Sequence, residues 1–277
     1  MKKIIVLYHV HCHDGFGSAY AAWKKFGNRA EYIGVRHNEP LPMGLRGKEI
    51  YLVDFTYPEK ETRRLLQIAK DVTNIDHHMS VASYTKMAHH YVFDNNHSGA
   101  VLSWKFFHPN TKIPRWLLYI EDLDLWRKKL SQTEAARAIL NTYPYNFKIW
   151  DTLITRFERP RLRKKYLEHG ENILAFQRRA IEAILKNAEL VRFCGYKTFA
   201  ANSALFADEL GSALCRAHPP IGIVWSYREG KLVVSLRSDG TVDVSKLAAR
   251  FGGGGHKVAS AFIQPAYKPF PWKPIKK

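Results

Sequence analysis

The feature that most constrains the fold is an alternation of strand-like and helix-like segments early in the chain. Short apolar runs rich in β-branched residues occupy positions 3–8, 30–35, 50–55 and 72–75. Between them, residues 16–26 carry apolar side chains at helical spacing and stop at Gly27, a residue type that often follows a helix end. Pro58 can open a second helix, which 59–70 continues. This alternation predicts a parallel sheet with crossover helices.

The rest of the chain predicts a connector and a second domain. Helical patterns dominate residues 98–154, a long charged helix covers 161–190, and strand-like runs return at 191–201, 221–225, 231–237 and 260–263. We therefore predict an α/β protein of two domains. The predicted boundaries are an N-terminal parallel-sheet domain over 1–155, a basic helical connector over 156–190, a smaller C-terminal α/β domain over 191–265 and a basic Pro-rich tail over 266–277.

Charge and cysteine content narrow the class of protein. The chain has 277 residues, with 43 Lys and Arg against 25 Asp and Glu, and a formal net charge of +18. Such a surplus favours polyanionic partners, namely RNA, DNA, nucleotides or acidic lipid, without choosing among them. No apolar run approaches the roughly 18 residues that predict a membrane span. Three widely spaced cysteines form no disulfide pattern, which favours a cytoplasmic protein.

Much of the positive charge lies in the predicted connector. Its basic residues are Arg156, Arg159, Arg161, Arg163, Lys164, Lys165, Arg178 and Arg179. Such a run is commonly a solvated helix face; the functional alternative is a track for the backbone of a longer nucleic acid, whose affinity would fall with salt. Four nearby aromatic residues either stack bases or, as is more common at this spacing, belong to the core: Tyr143, Tyr145, Phe147 and Trp150.

Side chains capable of binding metals follow three of the predicted strands. They are His9, His11, Cys12, His13 and Asp14 after the first run, Asp54 at the exit of 50–55, and Asp76, His77 and His78 after 72–75. Each alone has an ordinary explanation, such as a surface histidine or a helix cap, but ligands of open α/β sheets bind beyond the carboxyl ends of the strands. Mixed histidine and aspartate ligands suit Mn²⁺ or another octahedral divalent ion, and the inventory is sufficient for a two-metal site.

These residues belong to a longer series of motifs that resembles the DHH phosphoesterases. In chain order the motifs are His9-x-x-Cys12-x-Asp14-Gly15-Phe16-Gly17-Ser18, Val53-Asp54-Phe55, Asp76-His77-His78 and Glu121-Asp122-Leu123-Asp124-Leu125-Trp126. The stretch Gly252-Gly253-Gly254-Gly255-His256 resembles the signature of the family's C-terminal DHHA1 domain. By motif, the chain is most similar to the stand-alone enzymes that degrade very short RNAs (nanoRNases) and related small nucleotides.

The resemblance implies a dinuclear centre, usually of manganese. It assigns the ligands by position: His9 to the first ion, Asp14 and His77 to the second, and Asp54 to both. His78 would face the scissile phosphate as a catalytic residue. Asp76 is the second expected catalytic residue: it would hold the loop and contact a metal ligand without binding the metal itself.

Two positions of the implied centre stay open. The fourth motif supplies a ligand from Asp122 or Asp124, and Asp122 is preferred because it follows an apolar helix turn. Many family members carry two aspartates two residues apart in the first motif, where this chain has Cys12 and Asp14. Cys12 is therefore either a softer ligand, with His11 or His13 able to compensate, or a side chain that only packs.

The C-terminal glycines suggest close approach of an anion to the backbone. Four consecutive glycines are entropically costly, and bare backbone N–H groups suit an anion site, although a flexible loop is the simpler explanation of the glycines alone. The predicted strand 231–237 delivers Arg237, and arginine suits bidentate contact with phosphate. The resemblance implies substrate binding by Arg237, Ser238, Gly253, Gly254, Gly255 and His256.

Together these features predict a cytoplasmic, Mn²⁺-dependent phosphodiesterase with two domains around a cleft. It would hydrolyse short RNA oligonucleotides from an end to mononucleotides. An alternative within the enzyme class is hydrolysis of a small nucleotide, either adenosine 3′,5′-bisphosphate or a linear or cyclic dinucleotide. An alternative of another class is a nucleic-acid-binding protein that has lost catalysis, motivated by Cys12 and the charge of +18. The oligomeric state is not predicted.

Overall fold

A computed structural model of the chain describes residues 2–36 and 39–275. The chain divides into two compact units, Met1–Leu174 and Ala175–Lys277. Within the described residues, no helix has both the length and the apolar character needed to cross a membrane.

Unit 1 is built on a five-stranded parallel sheet. Its strands are β1 (Ile4–His9), β2 (Ala30–Val35), β3 (Glu49–Val53), β4 (Asp71–Asp76) and β5 (His90–Phe93), in the spatial order β2-β1-β3-β4-β5. All neighbouring pairs are parallel, so the prediction of a parallel sheet is confirmed. The sequence reasoning missed β5, an edge strand of only four residues with no fully buried side chain.

Helices cover both faces of this sheet. They are α1 (His13–Phe26), α2 (Glu59–Ile68), α3 (Ala82–Thr85), α4 (Gly99–Phe107), α5 (Arg115–Asp124), α6 (Thr133–Leu140) and α7 (Phe147–Phe157). The long helix α8 (Pro160–Lys186) begins in unit 1 and ends in unit 2. Side-chain caps explain two of the helix starts. The Ser98 hydroxyl accepts a hydrogen bond from the Val101 N–H at the start of α4, and the Asn146 side chain caps α7 in the same way.

Alternating side chains of each strand serve two separate cores. Val6, Val53 and Ile75 face a large core formed with α1, α4 and α5. Ile5 and Leu52 face the opposite core, which includes Leu65 of α2. Burial on both faces fixes the register of the strands, because a slip of one residue would exchange the two sets. The register in turn fixes which residues lie at the carboxyl edge.

Unit 2 contains a seven-stranded mixed sheet. Its strands are β6 (Glu189–Phe193), β7 (Tyr196–Asn202), β8 (Ile221–Arg228), β9 (Lys231–Ser238), β10 (Gly254–His256), β11 (Ala259–Pro265) and β12 (Lys273–Pro274), in the order β10-β11-β9-β8-β7-β6-β12. The helices α9 (Ala207–Ala217) and α10 (Val244–Ala249) complete the unit. Only β7 and β8 pair in parallel among these strands of the described chain.

The segment expected as one strand at 191–201 is a hairpin. Cys194 and Gly195 have φ of 49° and 91° and connect β6 to β7. Positive φ at both central residues is the geometry of a tight two-residue hairpin turn. The sequence signal was the Gly195 that interrupts the apolar pattern.

Candidate metal centre

The strand register brings three chain segments together at the carboxyl edge of the unit 1 sheet. Tyr8 of β1 pairs with Val53 of β3, and Val53 pairs with Ile75 of β4. The next residue in each strand direction therefore reaches the same level of the sheet. These residues are His9, Asp54 and Asp76, and the loop after Asp76 adds His77 and His78.

His77 lies at the centre of a buried group of carboxylates. Its Nε2 atom is 3.3 Å from an oxygen of Asp54, 3.6 Å from an oxygen of Asp124 and 3.7 Å from an oxygen of Asp14. Within the described part of the chain, no group meets either oxygen of the Asp54 carboxylate, or His77 Nε2, in hydrogen-bonding geometry. Buried polar atoms without partners are costly, so these atoms indicate a missing ligand. We call Asp14, Asp54, Asp76, Asp124, His9, His77, His78 and Cys12 the strand-end cluster.

Donor atoms of the strand-end cluster form three groups that could each hold a cation. Ligand atoms lie within 4.8 Å of one another in the sets Asp54, Asp76, His77 and His78; His9, Cys12 and Asp54; and Asp14, His77 and Asp124. Asp54 belongs to two of these sets, and so does His77. Shared ligands between adjacent sets are what a two-ion centre requires. The cluster is thus able to hold divalent metal.

The electrostatics of the cluster favour a bound cation. Burial and the nearby Asp14 carboxylate raise the pKa of Asp54 well above its ordinary value. Burial, followed by the charge of Asp14, also raises the pKa of Asp124 to about 7. Like charges crowded in a poorly hydrated site resist ionisation together. A divalent ion would remove this penalty and provide ligands for the unpartnered oxygens.

Asp76 holds the loop that carries the two histidines. One of its oxygens accepts hydrogen bonds from the backbone N–H groups of His77 (2.7 Å) and His78 (3.2 Å) and lies 2.7 Å from His78 Nδ1. Thr56 donates to the other oxygen at 2.5 Å. Although burial alone would raise it, the pKa of Asp76 is lowered by these contacts, chiefly the hydrogen bond from His78. The same hydrogen bond raises the pKa of His78.

Asp14 is held by the start of α4. Its carboxylate accepts hydrogen bonds from the backbone N–H groups of Gly99 (2.6 Å) and Ala100 (2.9 Å), which are among the unpaired donors at a helix N-terminus. A β-carbon on Gly99 would lie 2.6 Å from the β-carbon of Asp54. The sequence reasoning missed Gly99, whose only signal is its position directly after the capping Ser98.

Two backbone features bring β1 and β3 into this arrangement. A β-carbon on Gly15 would lie 2.1 Å from the carbonyl oxygen of His9, so only glycine fits where α1 passes the end of β1. Asp54 has φ of 53°, in the left-handed region that aspartate and asparagine tolerate better than most residues. Strain of this kind is characteristic of functional positions.

The structure places Asp122 and Asp124 in different surroundings, and this geometry favours Asp124 over the expected Asp122. Asp122 points away into the loop after α5, where it accepts hydrogen bonds from Lys129 N–H (2.8 Å), Leu130 N–H (3.1 Å) and the Thr133 hydroxyl (2.5 Å). Its carboxylate is therefore already satisfied by the protein. Asp124 instead faces His77 and Asp14. The candidate ligand of this motif is Asp124, because the last turn of α5 aims it at the sheet edge.

Cys12 lies beside the cluster, whereas its histidine neighbours do not join it. The Cys12 sulfur is grouped with ligand atoms of His9 and Asp54, and burial raises the pKa of the thiol. His11 contacts Arg36 at 2.8 Å, and the His13 ring packs 5.7 Å from the ring of Tyr145. His11 and His13 belong to none of the three ligand sets. Whether Cys12 binds metal stays a prediction.

A second polar network that the sequence reasoning did not identify supports the start of α4. The buried Glu121 carboxylate accepts a hydrogen bond from the Ser98 N–H (3.1 Å) and lies 2.9 Å from His97 Nδ1. Arg127 donates to its other oxygen at 3.1 Å. Glu121 thus holds the helix end that in turn holds Asp14. In the sequence, Glu121 is visible only as the first acidic residue of the motif that ends at Trp126.

In unit 2, the sheet register aligns Arg237 with His256. Ala259 of β11 pairs with His256 on one side and with Arg237 on the other. The Arg237 guanidinium contacts Asp208 and donates to the Leu236 carbonyl at 2.7 Å. The Ser238 hydroxyl donates to the Val242 carbonyl at 2.8 Å. These two predicted substrate-binding residues therefore already have partners within the protein.

The glycines of unit 2 have packing reasons of their own. A β-carbon on Gly253 would lie 2.2 Å from the Ala261 carbonyl oxygen, and Gly255 has φ of 139°. Gly254 faces open space. Close approach of β10 to β11 accounts for Gly253 and Gly255, and only Gly254 is left for the anion-binding explanation.

Two curated relatives match almost the whole chain. An uncharacterised protein, R106, of Acanthamoeba polyphaga mimivirus is 29% identical over 92% of this chain and 66% of its own length. The oligoribonuclease NrnB of Bacillus subtilis is 23% identical over 92% of this chain and 72% of its own length. The chain thus spans about two thirds of the mimivirus protein. No protein-family model matches the sequence.

Two solved structures share the fold. The pGpG-specific phosphodiesterase PggH of Vibrio cholerae has a TM-score of 0.53 at 13% identity, with 95% of this chain and 94% of that chain covered. The DHH domain of a member of a family of ribosomal proteins has a TM-score of 0.53 at 13% identity, with 95% of this chain and 83% of that chain covered. The resemblance inferred from the motifs is confirmed in the fold.

Proposed function

We propose that this chain, which has the fold of the DHH phosphoesterases, is a metal-dependent phosphodiesterase that hydrolyses short RNA oligonucleotides. The observation that carries the proposal is the unpartnered Asp54 carboxylate, buried between two sets of metal-binding side chains. The residues present fit a pair of divalent ions. We propose Mn²⁺ because mixed histidine and carboxylate ligands suit it.

We assign the ligands from the groups of donor atoms. His9 and Asp54 would hold one ion, and Asp14, His77 and Asp124 the other, with Asp54 close enough to share. When bound, the ions would supply a water of lowered pKa as nucleophile and would neutralise charge on the attacking and departing oxygens. Asp14 and His77 are buried and tethered, so their positions are set before substrate arrives.

His78 is the residue we propose to contact the scissile phosphate. Its Nδ1 side is occupied by Asp76, while 40% of its side chain is exposed. The contact with Asp76 fixes the ring and raises its pKa, which favours the protonated, hydrogen-bond-donating form. A fixed cation aimed at a phosphate stabilises charge that develops in the transition state. Asp76 acts on the reaction through His78 and is a positioning residue.

Unit 2 is proposed to bind the substrate. Arg237 and His256 lie in one row across three strands, at a separation of roughly 10 Å from two strand spacings. Arginine in such a position suits phosphate, and His256 adds a second donor beside exposed Gly254. Substrate phosphate would compete with Asp208 for the guanidinium.

The choice of short RNA rests on relatives and on charge. One relative is an oligoribonuclease, and one fold neighbour is specific for pGpG, a linear dinucleotide. Both names describe enzymes that cleave a phosphodiester bond in a substrate of few nucleotides. The formal charge of +18 favours a polyanion of several phosphates over adenosine 3′,5′-bisphosphate.

A product time course with Mn²⁺ tests the proposal. The substrates are end-labelled RNA and DNA of 2 to 20 nucleotides, together with pGpG, cyclic dinucleotides and adenosine 3′,5′-bisphosphate. We expect rapid conversion of RNA of 2 to 5 nucleotides to mononucleotides. Preference for pGpG over all other dimers would select the dinucleotide alternative. Absence of turnover, with salt-sensitive RNA binding, would support the non-catalytic alternative and refute the proposal.

The control variant is Asp54→Asn. Asparagine has the same size and tolerates positive φ, so this change removes charge without adding backbone strain. We expect activity to fall at least 100-fold while the circular dichroism spectrum is unchanged. Activity that survives in Asp54→Asn would come from another site or from a contaminant.

A further inference from the structure

Unit 1 contains a cavity built from residues outside the strand-end cluster. It has a volume of about 830 Å³ and lies between exposed faces of α7 and α8. This volume is within the range of small-molecule sites. The side chains that matter for its chemistry are Arg156, Arg159, Lys165, His169, Tyr143 and Tyr166. We call this cavity the α7–α8 pocket.

One helical face forms a wall of the pocket. Leu162, Lys165, Tyr166 and His169 line it from α8 and are spaced i, i+3, i+4 and i+7. Residues at this spacing lie on the same side of a helix. The face is amphipathic with a basic edge, because Leu162 and Tyr166 are half-buried while Lys165 and His169 are exposed. Part of the basic run found in the sequence therefore lines a cavity and is not spread evenly over the helix surface.

The pocket carries positive charge that the protein does not neutralise. The side chains of Arg156, Arg159 and Lys165 form no salt bridge within the described residues 2–36 and 39–275. The one carboxylate among the lining residues is Asp151, and it already contacts Lys24 Nζ at 2.9 Å and the Tyr20 hydroxyl at 2.8 Å. Three unpaired cations thus face one cavity.

One of these charges, that of Arg159, lies where it works against helix stability. The helix α8 begins at Pro160, and its first turn contains no acidic residue. Arg159 and Arg161 stand at this end, although the partial positive charge of a helix N-terminus favours anions. Local choices that oppose the fold are expected where a residue serves a ligand. The helix end and the arginines together attract an anion.

The aromatic side chains of the pocket offer a surface for a base. Tyr143 and Tyr166 are half-buried, and both also line an adjoining cavity of about 310 Å³. Phe147 and Trp150 behave differently, because they pack against Phe16 in the core, with ring centroids 4.8 Å apart in each pair. Tyr145 also packs against Phe16, with ring centroids 5.2 Å apart. Tyr143 and Tyr166 contact the same core but in addition line the pocket.

We infer that the α7–α8 pocket binds a phosphorylated nucleoside, separately from the candidate metal centre. Arg156 and Arg159 would contact the phosphate, and Tyr143 and Tyr166 would contact the base. Arginine pairs with phosphate through two parallel hydrogen bonds, and tyrosine rings stack on any base. The nucleoside comes either from a free mononucleotide or from one position of a single-stranded RNA.

Calorimetric titration of the full chain in EDTA tests this inference, because chelation leaves the candidate metal centre without ions. The probes are AMP, adenosine and a 5′-phosphorylated adenosine pentamer. We expect AMP to bind at least tenfold more tightly than adenosine. The double variant R156A/R159A should lose at least tenfold in affinity for AMP and for the pentamer. The control R178A/R179A removes the same amount of charge from α8 at positions outside the pocket and should change affinity less than twofold.

The aromatic contact and the source of the nucleoside have their own comparisons. Tyr143→Ala should weaken AMP binding and Tyr143→Phe should preserve it, with both variants shown by circular dichroism to be folded at the titration temperature. Pentamer binding more than tenfold tighter than AMP binding would identify RNA as the source, and equal binding would identify the mononucleotide. The inference is overturned if neither AMP nor the pentamer binds, or if both bind R156A/R159A as tightly as the unmodified chain. These outcomes do not depend on catalysis.

Discussion

Asp122 and Asp124 lie two residues apart, and we expect their substitution to change the melting temperature of the metal-free protein in opposite directions. Asp122 accepts three hydrogen bonds from Lys129, Leu130 and Thr133. Hydrogen bonds to a charged group contribute about 1.5–3 kcal/mol each, but they are not additive, so we expect Asp122→Ala to cost about 3 kcal/mol. For a unit of this size that loss lowers the melting temperature by about 6–12 °C.

Asp124→Asn should behave in the opposite way in metal-free protein. The pKa of Asp124 is raised to about 7, so its charge destabilises the fold at pH 8. Since 27% of the side chain is exposed, solvent screens part of this effect, and we expect a gain of about 1 kcal/mol, or roughly 2–4 °C.

Thermal melts at pH 8, in EDTA and with added Mn²⁺, separate the two roles. An ion present at 100 times its dissociation constant stabilises by about 2.7 kcal/mol, which is roughly 5–11 °C here. The unmodified chain and Asp122→Ala should both show this rise, and Asp124→Asn should lose most of it. The assignment is refuted if Asp122→Ala loses the Mn²⁺-dependent rise while Asp124→Asn retains it.

Four further predictions follow from the same geometry. In EDTA the free energy of unfolding should fall as pH rises from about 4 to about 7, because carboxyl groups of raised pKa stay protonated in the native state and lose their protons in the unfolded chain. Urea titrations should show that this free energy depends less steeply on pH in Asp124→Asn. An equal dependence on pH would contradict this cause. Gly99→Ala should destabilise by about 1–3 kcal/mol through its clash with Asp54 and weaken Mn²⁺ binding; a melting temperature and Mn²⁺ response equal to those of the unmodified chain would rule the clash out. If Cys12 only packs, Cys12→Ala should keep Mn²⁺ affinity by calorimetry, whereas a tenfold loss would identify it as a ligand. Arg237→Ala should raise KM for short RNA at least tenfold and leave the Mn²⁺-dependent melting shift unchanged; loss of that shift would contradict a role in substrate binding.

The strand-end positions could be predicted from sequence because they follow from where the apolar runs end. Short continuous apolar runs mark the strands, and parallel pairing places their ends at one edge, as found for His9, Asp54 and Asp76. This reasoning fixes chain positions but not directions of side chains. It therefore located the cluster without deciding which aspartate of the fourth motif enters it.

The remaining features depend on contacts between distant segments. Asp122 was preferred because it follows an apolar helix turn, and the hydrogen bonds that the following loop donates to it carry no local sequence pattern. Gly99 is required by the approach of α4 to Asp54, which separate strands and helices determine jointly. The place of Arg156 in a pocket could not be predicted either. A basic run in the sequence shows where charge lies along the chain but not that the charged side chains line a cavity.

Anomalous scattering from crystals soaked in Mn²⁺ tests the central claim most directly. The claim is that the strand-end cluster is a two-ion hydrolytic centre with Asp54 between the ions. We predict two manganese peaks about 3.5–4 Å apart, on either side of the Asp54 carboxylate. Manganese bound only elsewhere, or no manganese within ligand distance of Asp54, would contradict the claim.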